Sequence, residues 1–99
     1  MNLVDFRASL KSENPPGGIG TLLLALWHDG HGDWNRAHEI VQKEKENDLH
    51  AARVHAYLHR KEGDLSNADY WYNRSGEQRP AELLESEWAA LVERFLAAP

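Results

Sequence analysis

The feature that most constrains the fold of this chain is an internal repeat. Residues 25–37 recur as residues 56–68, and the same amino acid stands at five equivalent positions: Ala25 and Ala56, His28 and His59, Gly32 and Gly63, Asp33 and Asp64, Ala37 and Ala68. A repeat of this length is typical of stacked helical hairpins, in which each unit buries its apolar face against the next. The repeat therefore predicts two similar helical units in series.

The shared residues suit a helix–turn–helix unit. Gly32 and Gly63 stand where one helix should end and the chain should reverse, since glycine tolerates the left-handed conformation of such turns. Asp33 and Asp64 can cap the returning helix through their carboxylates. The shared alanines are small enough to let the two helices of a hairpin approach closely. These roles predict an antiparallel helical hairpin in each unit.

The remaining sequence extends this pattern to an all-α fold. Helical spacing of apolar residues predicts a short helix over 2–11 and further helices over 21–28, 33–46, 49–62, 64–74 and 80–98. We expect a single all-helical domain over 1–99, made of an N-terminal segment with a Pro/Gly linker (1–17), a first hairpin (18–48), a second hairpin (49–79) and a C-terminal capping helix (80–99). The capping helix should cover the second hairpin, because a stack of hairpins needs a closing element.

Charge and composition exclude several classes of function. The net charge of −5 disfavours binding to nucleic acid or to an anionic membrane. The absence of cysteine excludes disulfides and thiolate metal sites. The first residues lack the basic and apolar segments of a signal peptide, so we expect a cytoplasmic protein.

The second unit carries the residues of a known repeat at that repeat's spacings: Ala56, Gly63, Ala68, Tyr72, Ser75 and Pro80. In this it resembles the tetratricopeptide (TPR) and Sel1-like helical repeats. The first unit matches less fully, at Ala25, Gly32 and Ala37. The resemblance implies a protein–protein interaction or scaffolding module and not an enzyme. Residues 55–64 with the following Trp-Tyr pair are also similar to a group of small bacterial proteins, a likeness that implies no function.

In the resembling family, the first helices of the hairpins line a groove for extended peptides. Carried over by position, the groove residues of the second unit would be His50, Arg53, Tyr57, Arg60 and Lys61. This set predicts a protein or peptide partner with acidic groups or a C-terminal carboxylate. The alternative is a solvated face whose cations pair with nearby acids. Tyr70 and Trp71 are candidates for an interface, and a homodimer is compatible with so short a stack.

The histidines provide a second functional hypothesis, a small metal- or ligand-binding protein. His55 and His59 are one helical turn apart and project from the same face, as chelating pairs do. The third ligand is open among His28, His31, His38 and Asp29, and His28 is its first candidate. The alternative role for these histidines is packing, or capping of helix ends. No phosphate-binding loop or nucleophile elbow is present in the sequence, so catalysis and a cofactor are not expected.

Overall fold

Six helices make up the regular structure of residues 1–97, the part of the chain that the computed structural model describes. They are α1 (Leu3–Ser9), α2 (Thr21–Gly30), α3 (Trp34–Gln42), α4 (Leu49–Glu62), α5 (Leu65–Ser75) and α6 (Leu84–Ala97). No strand occurs within this range, and the predicted all-α class is confirmed. The predicted helix end at residue 98 lies outside the described residues. No described helix has both the length and the apolar composition needed to cross a membrane.

The two hairpins form at the turns that the repeat marks. Helix α2 packs on α3 and α4 packs on α5. Gly32 and Gly63 adopt left-handed backbone angles, with φ of 93° and 90°. The Asp33 and Asp64 side chains each accept a hydrogen bond from the backbone N–H three residues further on. The equivalent residues of the two units thus form the same turn and the same helix cap.

The repeat alanines bring the helices together. Ala25, Ala37, Ala56 and Ala68 are all fully buried between helices. A side chain of one methyl group lets helix backbones approach closely, so larger residues at these positions would force the hairpins apart.

Helix α6 lies across the first helices of both hairpins, α2 and α4, and also contacts α1. It therefore covers more than the second hairpin alone. Trp88 anchors it, because the indole Nε1 donates a 2.9 Å hydrogen bond to the carbonyl oxygen of Leu26. The Phe6 ring of α1 is fully buried against Trp88, with ring centroids 5.9 Å apart. Leu91 and Val92 complete this core between α6 and the first helices.

Two helix bounds differ from those predicted. Helix α3 ends at Gln42, not near residue 46, because the run Lys43–Glu46 offers no apolar side chain to bury. Residues 43–48 instead form a connection that ends at Asp48, whose carboxylate caps α4. Helix α6 begins at Leu84, since the carbonyl oxygen of Glu82 is taken by the Arg60 guanidinium. The connection at 43–48 matters for function because it forms part of the wall of a pocket.

Candidate metal site

Helix α4 is the central helix, and its middle is buried on every side. All residues from 51 to 59 are buried, including Arg53, His55 and His59. Helices α3 and α5 contact one side of α4, and α2 and α6 contact the other. The polar side chains of α4 therefore need partners in two separate environments, which differ sharply.

Three imidazoles meet on the side of α4 that faces α3 and α5. His38 comes from α3, and His55 and His59 come from successive turns of α4. Their ring centroids are 4.9 Å apart for His38 and His55, 5.1 Å for His38 and His59, and 4.8 Å for His55 and His59. One ring nitrogen from each lies within 4.8 Å of the other two. We call these three residues the histidine cluster.

Two tryptophans hold the rings of the histidine cluster in place. The Trp34 ring stacks on His38 with centroids 4.9 Å apart and planes 9° apart. The Trp71 ring stacks on His55 at 4.0 Å and 13°. Trp34 is itself fixed, since its Nε1 donates to the carbonyl oxygen of Leu58 at 2.7 Å. Stacking of this kind limits ring rotation. Within the cluster, His38 is edge-on to the other two rings, and His55 and His59 are stacked with planes 27° apart.

Glu62 orients the third imidazole. Its Oε1 lies 2.6 Å from Nδ1 of His59, one turn along the same helix. A carboxylate on one ring nitrogen fixes the tautomer and leaves the other nitrogen, Nε2, as the free donor. This carboxylate–histidine arrangement is common behind metal ligands.

The ring nitrogens of His38 and His55 have no hydrogen-bond partner in the described part of the chain, where only His31 and His59 use a ring nitrogen in this way. No buried side-chain nitrogen or oxygen of residues 1–97 is left unpaired. The free nitrogens of His38 and His55 therefore reach space that solvent can enter.

Burial favours the neutral form of two members of the cluster, His38 and His55. Burial, followed by the neighbouring His59 and His38 rings, lowers the pKa of His55 to about 3. Burial and the nearby His59 also lower the pKa of His38. At neutral pH both rings carry a free lone pair, which is the form in which imidazole binds a metal ion.

A pocket of about 370 Å³ opens onto the cluster. Apolar and polar side chains of α3, α4 and α5 form its walls, and the 43–48 connection forms its rim. Besides the three histidines, its lining residues are Val41, Gln42, Glu44, Lys45, Glu46, Asp48, Ala51, Ala52, Asn67 and Trp71. The site thus combines three nitrogen donors with space for a further ligand.

The predicted groove residues lie on the opposite side of α4, beneath α6. Arg53 and Arg60 each donate a 2.7 Å hydrogen bond to the Glu87 carboxylate of α6, which is fully buried. The Tyr72 hydroxyl donates to the same carboxylate at 2.5 Å. Glu77 accepts a further bond from Arg53. The carboxylate that sequence reasoning expected from a partner is here supplied by the chain itself.

Of the other predicted groove residues, Tyr57 and Lys61 also have partners within the chain, and His50 is exposed to solvent. The Tyr57 hydroxyl donates to buried Asp29 at 2.8 Å, and the Lys61 ammonium reaches the same carboxylate at 2.9 Å. His50 is exposed, with its ring edge-on to Phe95. Arg53 and Tyr57 are only 5% and 2% exposed. The five residues do not form an open groove in this structure, because α6 covers that face of α4.

His28 does not join the histidine cluster. It sits near the end of α2 with its ring edge-on to Trp27, and burial followed by the charge of Arg36 lowers its pKa. His38, one of the open alternatives, is the third member. The sequence signal for His38 is Trp34, which stands one turn before it on the same face of the predicted helix.

The consecutive aromatics of α5 separate into three environments. Tyr70 is exposed, and its hydroxyl accepts a hydrogen bond from Arg74. Trp71 is half-buried against His55 and belongs to the pocket wall. Tyr72 is buried.

No protein-family model, curated protein or solved structure matches this chain in sequence or fold comparisons. The tetratricopeptide likeness, the acidic peptide partner and the homodimer therefore stay predictions, and the function is argued from the site.

Proposed function

We propose that the protein binds a divalent transition-metal ion, with zinc as the reference ion, through His38, His55 and His59. The observation that carries this proposal is the convergence of three imidazoles whose donor nitrogens lie within 4.8 Å of one another. Imidazole is a preferred ligand of zinc, copper and nickel.

The geometry requires only a local adjustment to hold the ion. At zinc–nitrogen distances of about 2.0–2.1 Å, tetrahedral ligands are separated by roughly 3.4 Å. The ring nitrogens therefore need to close by about 1.4 Å or less. Small changes in the side-chain torsions of all three residues would supply this movement, since His55 and His59 can approach each other only through their own side chains.

Aromatic packing alone is a weaker explanation of the cluster. It accounts for the stacked pairs of Trp34 with His38 and Trp71 with His55. It does not account for ring nitrogens of His38 and His55 that turn towards each other without a partner. A phenylalanine would provide the same packing, whereas an imidazole adds a ring nitrogen at the pocket that can bind a metal ion.

The test is isothermal titration calorimetry of zinc binding to the chain without a histidine tag. We expect one ion per chain, and we expect the H55Q and H59Q variants to lose binding by at least roughly a hundredfold. H50Q is the matched control, since His50 lies on the same helix but outside the cluster, and it should bind as the parent does.

Circular dichroism of each variant separates loss of binding from loss of fold. Absence of stoichiometric binding by the folded parent would contradict the proposal. Binding that survives intact in folded H55Q and H59Q would place the ion elsewhere.

A further inference from the structure

We infer that the metal ion keeps an open coordination position towards the pocket, and that this position takes the carboxylate of a small monocarboxylic acid with an apolar body. The inference rests on the proposed metal site. It names the class of ligand and gives the pocket a role, which is to hold the apolar body of that ligand.

The protein supplies three donors and no more. Within the described residues, the group that contains His38 and His55 includes His59 and no fourth ligand. The nearest carboxylate, Glu62, is engaged behind His59 at Nδ1. Structural zinc sites are closed by four protein ligands, whereas sites with three protein ligands leave the fourth position to water or an exogenous molecule.

The charge of the site favours an anionic donor. A histidine that coordinates a metal ion does so as a neutral imidazole, so three histidine ligands leave the bound ion with its full positive charge. A carboxylate oxygen at the open position would neutralise part of that charge inside a partly enclosed pocket.

The walls of the pocket favour an apolar body behind that carboxylate. Val41, Ala51 and Ala52 line it with small aliphatic groups, and Trp71 offers an indole surface. A volume of about 370 Å³ lies near the lower end of the range for small-molecule sites, roughly 300–1,000 Å³. It therefore suits a compact acid such as benzoate better than an extended metabolite.

The rim selects against a second negative charge. Glu44, Glu46 and Asp48 line the rim, with Lys45 as the single cation among them. One oxygen of Asp48 is occupied as the cap of α4, which leaves its charge in place. A dicarboxylate would bring its outer carboxylate into this acidic rim, so a monocarboxylate of similar length should bind more tightly.

The experiment uses the tag-free full chain loaded with Co²⁺, whose visible absorption reports both binding and coordination. Acetate, benzoate, butyrate and succinate are then titrated into the loaded protein. We expect saturable spectral changes, with the dissociation constant of benzoate roughly tenfold below that of acetate because the ring buries apolar surface. Butyrate should bind more tightly than succinate, and the E44Q/E46Q variant should narrow that difference.

The outcomes separate the two proposals. A chain that binds Co²⁺ through the cluster but shows no spectral response to any acid would overturn the open position and leave the metal site standing. Equal affinities for acetate and benzoate would overturn the role of the pocket walls. A chain that binds no Co²⁺ would overturn both proposals.

Discussion

The two sides of helix α4 accommodate their polar side chains in different ways. Towards α6, Arg53 and Tyr57 are buried, Arg60 is half-buried, and each has a partner in the chain. Towards α3 and α5, His55 is equally buried, yet its ring nitrogens face a pocket and have no partner among the described residues. Buried polar groups are normally hydrogen-bonded, so the paired groups on the α6 side are explained by structure, whereas the ring nitrogens of His38 and His55 are open to the pocket and available to a ligand. On this comparison we propose that the α6 side contributes stability and that the histidine side binds a ligand.

The largest effect should come from breaking the pairing on the α6 side. Replacing Glu87 with alanine leaves Arg53 buried without its main partner, and removing one member of a buried ion pair costs about 3–5 kcal/mol. We expect E87A to lose that much free energy of unfolding in urea, or to be unfolded. The control E85A lies on the same helix at an exposed site and should change stability by less than about 0.5 kcal/mol. Equal stability of the two variants would remove the structural role of this network.

We expect a smaller loss in the free energy of unfolding when Asp29 is replaced. In D29A the Tyr57 hydroxyl loses its acceptor in a buried position, at a cost of about 1–3 kcal/mol. The ion pair of Asp29 with Lys61 contributes little, since the Lys61 side chain is 40% exposed, and K61M should cost less than about 1 kcal/mol. Chemical denaturation of both variants checks this order. A larger loss in K61M than in D29A would show that the ion pair, not the hydroxyl, is the important contact.

Glu62 tests the histidine side without changing a ligand. E62Q should weaken zinc binding by about 10–100-fold, because the carboxylate behind His59 orients the ring and raises its basicity. Its effect on stability should be small, since the Glu62 side chain is 38% exposed. Calorimetry against the control E39Q, an exposed acid of α3, measures the difference. Unchanged zinc affinity in E62Q would remove Glu62 from the site.

The metal-free protein should lose stability in mild acid through its histidines. The folded-state pKa of His55 is lowered to about 3, whereas in the unfolded chain it takes a proton near its ordinary value of 6.5. The unfolded state therefore binds more protons between these values, and the free energy of unfolding falls as pH drops below about 6.5. The slope reaches about 1.4 kcal/mol per pH unit for each proton taken up on unfolding.

His28 and His38 act in the same direction, because their pKa values are also lowered. Urea denaturation between pH 7.5 and pH 5 measures the slope above the range where carboxylates titrate. The variant H55F should show a shallower slope. A free energy of unfolding that stays constant or rises as pH falls to 5 would contradict the burial of neutral histidines.

The smallest effect on stability should come from H55F itself. Phenylalanine keeps the stack on Trp71 and removes the ring nitrogens that lack a partner, so the metal-free variant should lie within about 1 kcal/mol of the parent. It should nevertheless lose zinc binding. A loss of more than about 3 kcal/mol would mean that His55 is a structural residue like Arg53.

The sequence anticipated local features much better than long-range ones. Gly63 and Asp64 marked their turn because a glycine stop and an aspartate cap act within a few residues. The pair His55 and His59 was visible for the same reason, as a one-turn spacing on a helix. Each of these signals is contained in a single element.

Long-range contacts had no comparable signal. Glu87 looks like an ordinary acid near the start of an amphipathic helix, and only the placement of α6 over α4 brings it to Arg53 and Arg60. The same limit applies to His38, whose approach to His55 depends on how the first hairpin stacks on the second. The sequence predicted a C-terminal capping helix, but the family resemblance from which the groove residues were carried over gave no information on which face of α4 this helix covers.

Anomalous diffraction from zinc-soaked crystals of the tag-free chain tests the central claim most directly. The account predicts one strong zinc peak, about 2.1 Å from a ring nitrogen of each of His38, His55 and His59. It also predicts density for a non-protein ligand on the pocket side of the ion. A peak that lies instead at exposed histidines such as His31 or His50, or the absence of any peak at the cluster, would contradict the assignment of ligand binding to this side of α4.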